Sequence, residues 1–554
     1  MTELLHDRFR AQAATRSEQV ALVWKGERTT YGELDDSSDR LARLLVDAGC
    51  GPGDRVALLM PKSPAAINAL LAALKASCAY VPLDPAEAPW RLARLLQTIE
   101  CRCLLAAGPV AGVLEQALAA MPRNRAPAVG ALDEVFAGSG VRAAFTPQDV
   151  LTAAPLADTV RGPAESLAQI LFTSGSTGDP KGVMIAHSGA ARFISWAIDY
   201  FGVNRTDRVS QHPPMRFDVS TFDIFSALSV GAELHLVPPE LNVLPHKLAQ
   251  FIRESQLTQW FSVPSTLNLL AKFGAIMDND FPALRRLLFA GEVLPTPTLI
   301  HLMRRLPHVQ FTNLYGPTET TIASSYYTVP ECPSDEREPI PIGRACGGEE
   351  LLVLDAERRP VPAGTVGDLY IRGAGVSPGY WGDSARTREA FVASARGGRG
   401  GRMYRTGDLA HRDADGVHYY HGRMDTQIKS RGYRIELGEI EAALHTLPTL
   451  SESAVVAIES TGFEGWTLCC AYVPAPDAEA SVVALRKALA TRLPSHMLPT
   501  RWQRYDSLPK NASGKCDRRT LKDDFRNAAP LGPSLVGALR TSSDQTTRGA
   551  AGGI

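Results

Sequence analysis

Residues Leu171–His187 read LFTSGSTGDPKGVMIAH. A short apolar run enters Thr173, Ser174, Gly175, Ser176, Thr177 and Gly178, and the chain leaves through Pro180, Lys181 and Gly182. Glycines remove Cβ atoms, so backbone N–H groups can face an oxyanion, while the hydroxyls add donors and Lys181 adds a positive charge. This is the composition of a phosphate loop reached from a strand. It is not a Walker A loop, because the position that needs the second glycine, counted from Gly175, holds Pro180.

The sequence on either side repeats a β-α-β rhythm. Tyr31 to Gly49 carries Leu34, Leu41, Leu44 and Leu45 at helical spacing with Gly49 as a stop, and Val56–Met60 reads as a short buried strand. Pro64–Ala76 predicts a helix and Ala79–Leu83 a second strand; Lys75 inside this apolar stretch argues against a membrane span. Further strands are expected at Leu234–Val237, Trp260–Val263 and Leu287–Ala290. The rhythm implies α/β layers with largely parallel sheets. From about 345 to 422 the chain is rich in β-branched and aromatic residues punctuated by Gly, Asp and Pro, which predicts an antiparallel meander or small barrel. A mixed α+β lobe over 423–527 follows, with helices at Leu437–Leu444 and Val482–Leu493 and strands at Ala454–Ile458 and Thr467–Val473. The Gly-, Ser-, Thr- and Ala-rich residues 528–554 are expected to be a disordered tail. Residues 1–422 would form the large lobe.

The 554 residues carry 58 basic and 59 acidic side chains, a formal net charge of −1. Such a chain exerts no global pull on nucleic acid or anionic lipid, so any phosphate must be held by a local site. Nine cysteines without a CxxC pair argue against a disulfide framework or a zinc site. The N-terminus has no signal-peptide core, and the expected location is the cytoplasm.

Ser174–Lys181 resembles the AMP-binding signature of the adenylate-forming superfamily. Four further stretches resemble that superfamily's other motifs in the same order: Asn313–Ile322 (NLYGPTETTI), Tyr404–Leu409 (YRTGDL), Gly422–Glu441 (GRMDTQIKSRGYRIELGEIE) and Pro509–Arg518 (PKNASGKCDR). The resemblance implies a ligase that uses ATP and Mg²⁺. It places the nucleotide among residues 173–178, Lys181, Asn313, Tyr315, Gly316, Asp408 and Arg423. Tyr315 is suited to stack on adenine, Thr318 to donate to the α-phosphate, Glu319 to hold Mg²⁺ as an oxygen ligand, and Asp408 to accept the ribose hydroxyls. Asp425 resembles the hinge between lobes. Lys515 resembles the lysine that stabilises charge during adenylation. The family's small lobe alternates between a pose that presents this lysine and one that presents the hinge-motif face, with Lys429 and Gly432 toward an incoming pantetheine thiol.

Phe217–Leu228 (FDVSTFDIFSAL) resembles the amino-acid-activating branch, with Asp218 matching the aspartate that pairs with a substrate α-ammonium. A buried carboxylate is costly unless paired. By resemblance the pocket line is Asp218, Val219, Phe222, Ser262, Leu288, Ala290, Leu314, Ile322, Ala323 and Lys515. It has no second charge for a charged substrate side chain. The line is similar to that of free-standing L-proline-activating members, except that Ser262 stands where those carry an aromatic. L-Proline leads, with a substituted proline, pipecolate or an aliphatic amino acid as alternatives. The acceptor implied is the phosphopantetheine arm of a separate carrier protein. An acid–CoA ligase and a non-catalytic nucleotide-binding sensor are the rival readings.

Overall fold

The structure, a computed structural model, describes residues 3–134, 136, 138–157, 162–175, 180–394, 401–459, 466–476, 478, 480–510 and 516–528. Ser176, Thr177, Gly178, Lys515 and the expected tail beyond 528 therefore lie outside the described residues.

Two large sheets flank a helical layer. The six-stranded sheet runs Ala128–Ala131, Cys103–Ala106, Arg55–Leu59, Ala79–Leu83, Leu167–Thr173, Lys181–Ala186. Its strands pair in parallel except the last two, which are antiparallel and flank the phosphate loop. The nine-stranded sheet is parallel through its middle, including Gln259–Ser262, Arg286–Ala290 and Gln310–Tyr315, and antiparallel at its edges. Helix Val219–Val230 is buried on every face, ten of its twelve residues lying inside, including Ser220, Thr221, Asp223, Ser226 and Ser229. A helix of that kind belongs between layers rather than on a surface. Helix Tyr31–Asp47 starts at a Thr30/Glu33 capping box, which satisfies two orphan donors of its first turn.

A β-rich unit follows, a five-stranded antiparallel sheet built around Glu349–Leu354, Gly367–Gly373 and Arg402–Arg412. Past the hinge motif the chain forms a small α+β lobe with its own cores. Strands Leu450–Glu459, Trp466–Pro474 and Arg501–Arg504 make a sheet. One face packs Ile428, Ile435, Ile440 and Leu485, and the other packs Leu508, Leu521 and Phe525. The helix expected at Val482–Leu493 ends earlier, at Ala490. Among the described residues no helix is long and apolar enough to cross a membrane. Lys75, read as the charge that disqualifies a span, is fully buried and paired to Asp35 at 2.7 Å and Asp39 at 3.0 Å.

Candidate active site

A cleft of about 710 Å³ opens between the lobes. Thr173, Ser174, Asp218, Val219, Ala290, Gly316, Thr318, Ile322 and Asp408 line it from the large-lobe side, and Arg423, Lys429, Gly432 and Arg434 from the hinge-motif side. Strand Leu167–Thr173 delivers the start of the phosphate loop. The Thr173 hydroxyl is buried at the cleft without a hydrogen-bond partner among the described residues. A lone buried donor of this kind is what an absent ligand oxygen would satisfy.

Strand Gln310–Tyr315 delivers the second motif. Gly316 presses so close that a Cβ would meet the Ala323 Cα at 2.6 Å. Thr321 and Ile322 then adopt positive φ of 60° and 72°. For β-branched residues this is strained by about 1–3 kcal/mol each. The Thr321 hydroxyl holds the turn by donating to the Gly375 carbonyl at 2.6 Å. The result is a tight fold-back that drives Glu319 inward until it is fully buried.

Glu319 is surrounded by cations. Arg434 reaches both carboxylate oxygens at 3.0 and 2.8 Å, Lys181 lies 3.5 Å away, and the Tyr380 hydroxyl donates at 2.9 Å. Burial opposes ionisation of Glu319, but Arg434 and Lys181 overcome it and hold the carboxyl well below the usual carboxylate range. Burial, with help from Arg434, pulls Lys181 down to about 8. Neither Arg434 nor Tyr380 was expected from the sequence. Arg434 lies within the RGYRIE stretch, whereas Tyr380 carries no motif.

Asp408 accepts from Arg423 at 2.6 Å and from the Tyr315 hydroxyl. Tyr315 is buried, and Lys429 Nζ stands 5.8 Å over its ring. In this pose a cation therefore lies over one face of the ring expected to stack on adenine. Asn313, also expected at the nucleotide, gives its amide to the Pro341 carbonyl at 2.8 Å. Arg423 also grips Asp425 at 2.7 Å, which links Asp408 to Asp425, the residues expected at the ribose and the hinge.

Asp218 precedes helix Val219–Val230 and opens onto the cleft. Burial pushes its pKa up to about 6, with Thr318 and Lys429 working the other way. Phe222, Leu288, Ala290, Leu314, Ile322 and Ala323 pack together in one core behind it. Ser262 does not join them. It registers with Phe289, which belongs to a different core, and its hydroxyl accepts the Trp260 indole N–H at 2.9 Å. Phe261 instead closes that side, edge-on to Phe222 at 5.7 Å.

The hinge-motif hairpin, Gln427–Ser430 and Tyr433–Glu436, is inserted in the cleft. Arg431 and Gly432 both take positive φ (53° and 79°), as a two-residue turn matching strand twist requires. The Gly432 N–H donates to Glu292 at 2.7 Å, and Ser174 donates to the Arg434 carbonyl at 2.6 Å. Tyr433 stacks on His496 at 3.7 Å and accepts from Arg216 at 2.9 Å. Arg91 and Glu439 form an ion pair across the lobes at 2.7 Å. The flanks of the Lys515 loop, Leu508 and helix Arg518–Asn527, pack on the opposite face of the small-lobe sheet from this hairpin.

A two-lobed α/β enzyme with a strand-delivered glycine- and hydroxyl-rich loop at the cleft beside a small C-terminal domain is the class these features define. The chain belongs to the AMP-binding enzyme family, whose model matches residues 9–381, and the family's C-terminal domain matches residues 439–515. It is 38% identical to the L-proline–[L-prolyl-carrier protein] ligase of Streptomyces coelicolor over 91% of this chain and 94% of that one. It is 33% identical to the enzyme of the same name from Pseudomonas fluorescens, over 94% and 99%. Among solved structures, the Vibrio cholerae adenylation domain AlmE in complex with glycyl-adenosine-5′-phosphate superposes with a TM-score of 0.82 at 26% identity. That match covers 95% of this chain and 98% of the other.

Proposed function

We propose that the protein activates a neutral α-amino acid, L-proline first among candidates, as aminoacyl-AMP at the expense of ATP. It then passes the aminoacyl group to the phosphopantetheine thiol of a separate carrier protein. The observation that carries this reading is Asp218, half-buried at the cleft and desolvated enough to raise its pKa, at the head of an apolar wall. Desolvation there disfavours the carboxylate charge by more than Thr318 and Lys429 offset, so a further cationic partner stabilises it, and an α-ammonium is that partner. A fatty or aryl acid would leave it unpaired. The two proline–carrier ligase relatives support L-proline and a carrier acceptor. The chain's hydroxyl at position 262 is held by Trp260, which leaves an apolar wall suited to a substrate without polar side-chain atoms.

The residues divide the work. The start of the phosphate loop and Lys181 bind phosphate oxygens, and Asp408 holds the ribose. Thr318 and Glu319 fit Mg²⁺, since both offer oxygen donors and Glu319 is ionised though buried. Mg²⁺ would supply neutralisation of phosphate charge. Lys515 stabilises the charge that develops as the substrate carboxylate attacks the α-phosphate. The hairpin turn at Gly432 orients the thiol in the second step, with Asp425 as the pivot.

Amino-acid-dependent ATP–pyrophosphate exchange over a panel of L-proline, pipecolate, valine, alanine and threonine tests the first step. L-Proline is expected to give the highest kcat/KM, and exchange with none of the panel would reject amino-acid activation. Loading of a phosphopantetheinylated carrier against free CoA tests the second step. Faster thioester formation on CoA would favour an acid–CoA ligase.

A further inference from the structure

Residues 373–380 (GAGVSPGY) leave strand Gly367–Gly373 and pass against the Thr318–Ile322 fold-back as a strap. Hydrogen bonds join the two. The Gly375 carbonyl accepts the Thr321 hydroxyl at 2.6 Å, the Ser377 N–H donates to the Glu319 carbonyl at 2.9 Å, and the Tyr380 hydroxyl donates to the Glu319 carboxylate at 2.9 Å. The fit is tight, since a Cβ on Gly375 would stand 2.7 Å from the Thr320 carbonyl oxygen. The strap is itself held by Glu349, which starts strand Glu349–Leu354 and accepts the Gly375 N–H on Oε1 at 2.8 Å. The other oxygen, Oε2, is buried without a hydrogen-bond partner among the described residues. Gly373 seals it in, because a Cβ there would collide with Oε2. Burial pushes the Glu349 pKa up to about 7, with the Gly375 N–H and Arg192, on helix His187–Phe201, working the other way. Cys346 nearby stays a neutral thiol, since burial and Glu349 both raise its pKa. A carboxyl with one oxygen stranded is poorly placed for its own stability, and perturbed carboxyls with a specific partner cluster at functional sites.

We propose that Glu349 is a positioning residue for adenylation: through Gly375 and the Thr321 hydroxyl it fixes the fold-back that carries Glu319 and Ile322. The inference rests on the proposed roles of those two residues, as metal carboxylate and as part of the amino-acid wall. Thr321 and Ile322 sit at positive φ of 60° and 72°, a strained conformation that persists only where the surroundings impose it. Glu349 supplies that constraint without touching substrate. Removing its acceptor frees Gly375, and the carbonyl that the Thr321 hydroxyl needs then moves with it. Glu319 and Ile322, on either side of the turn, lose their place together. The amino-acid KM and kcat are therefore coupled to one carboxylate outside the cleft.

The test is ATP–pyrophosphate exchange on the full chain at about pH 8, above the Glu349 pKa, with the amino acid that the substrate panel identifies. Glu349→Ala is expected to lower kcat and to raise the amino-acid KM about tenfold, the low end of what a hydrogen bond to a charged group is worth. A smaller folded fraction would lower kcat and leave KM alone. Glu349→Gln keeps an acceptor oxygen and is expected to bring KM back to within about threefold of wild type, because a neutral acceptor is roughly half as strong as an ionised one. Glu349→Met, of similar length but without an acceptor, repeats the test should Glu349→Ala not fold. Thr321→Val breaks the next link and is expected to raise KM as Glu349→Ala does. The double variant is expected to be no worse than the worse single, because links in series fail once. A loss confined to kcat in Glu349→Ala, or additive losses in the double variant, would overturn the positioning role while amino-acid activation stands. If the wild-type chain exchanges pyrophosphate with no amino acid of the panel, the functional reading itself fails and the inference falls with it.

Discussion

Arg91 on the large lobe and Glu439 on the small lobe meet at 2.7 Å, with side chains 9% and 1% exposed. Burial raises the pKa of Glu439, and Arg91 opposes the rise. Helix Pro89–Ile99, which carries Arg91, also presents Trp90, whose indole N–H donates to the Thr491 carbonyl of the small lobe.

Removing one partner of a buried pair costs about 3–5 kcal/mol, because the other charge is left stranded. Arg91 also pairs with Glu87, just ahead of its own helix, at 3.3 Å, a loss felt in any pose, whereas the loss of Glu439 falls on the docked pose. Arg91→Ala is expected to slow carrier loading by at least ~10-fold, which needs only 1.4 kcal/mol of that penalty, while pyrophosphate exchange stays near wild type. Lys515→Ala is expected to give the mirror image, with exchange lost and transfer from supplied aminoacyl-AMP retained. Single-turnover kinetics of the two half-reactions separate these outcomes, and equal losses in both steps for Arg91→Ala would reject its docking role.

Gly432 combines a positive φ of 79° with close approach to the large lobe, where a Cβ would stand 3.1 Å from Val263. An L-residue in the left-handed region costs roughly 1–2 kcal/mol before any clash. Gly432→Ala is therefore expected to reduce the transfer rate about tenfold or more and to leave adenylation nearly untouched. Quench-flow measurement of carrier loading checks this.

Asp218 titrates near 6 because burial penalises its charge. If the ionised form pairs with the substrate ammonium as proposed, below pH 6 the KM for the amino acid should climb by about tenfold per pH unit as that form is depleted. Above pH 6 this term is flat. Asp218→Asn should bind poorly at every pH and lose the slope. A pH profile of exchange kinetics decides the matter, and an unchanged slope in the variant would assign the titration to another group.

Lys75 neutralises Asp35 and Asp39 from a fully buried position. Lys75→Met keeps most of the packing but leaves two carboxylates without their cation, and the large lobe should lose about 3–5 kcal/mol. The triple variant with Asp35→Asn and Asp39→Asn should recover most of that loss. Urea unfolding followed by tryptophan fluorescence compares the three chains.

Much of the layout is legible locally. Strand Ala79–Leu83 and helix Tyr31–Asp47 follow from apolar runs and helical spacing that local physics alone can read. The hinge-motif hairpin is not legible in that way. Its strands are four residues each, and its Arg431–Gly432 turn lacks the Asn-Gly signature that flags such turns. Ser262 shows the same limit at the pocket. That Ser262 and Trp260 share a strand face is readable from their spacing of two, but which core that face meets depends on the sheet's packing, which sets Ser262 beside Phe289.

Residue order alone determined which groups this chain offers: a hydroxyl- and glycine-rich loop, Glu319, Asp408 and Asp218, each within a stretch that resembles a motif of the adenylate-forming superfamily. Only the tertiary structure decided which of them meet in this pose. Arg434 lies 115 residues from Glu319 and Glu439 lies 348 from Arg91, and no local pattern encodes such pairs. They form because the small lobe turns its hairpin face into the cleft, where burial makes each unpaired charge costly enough to select its partner.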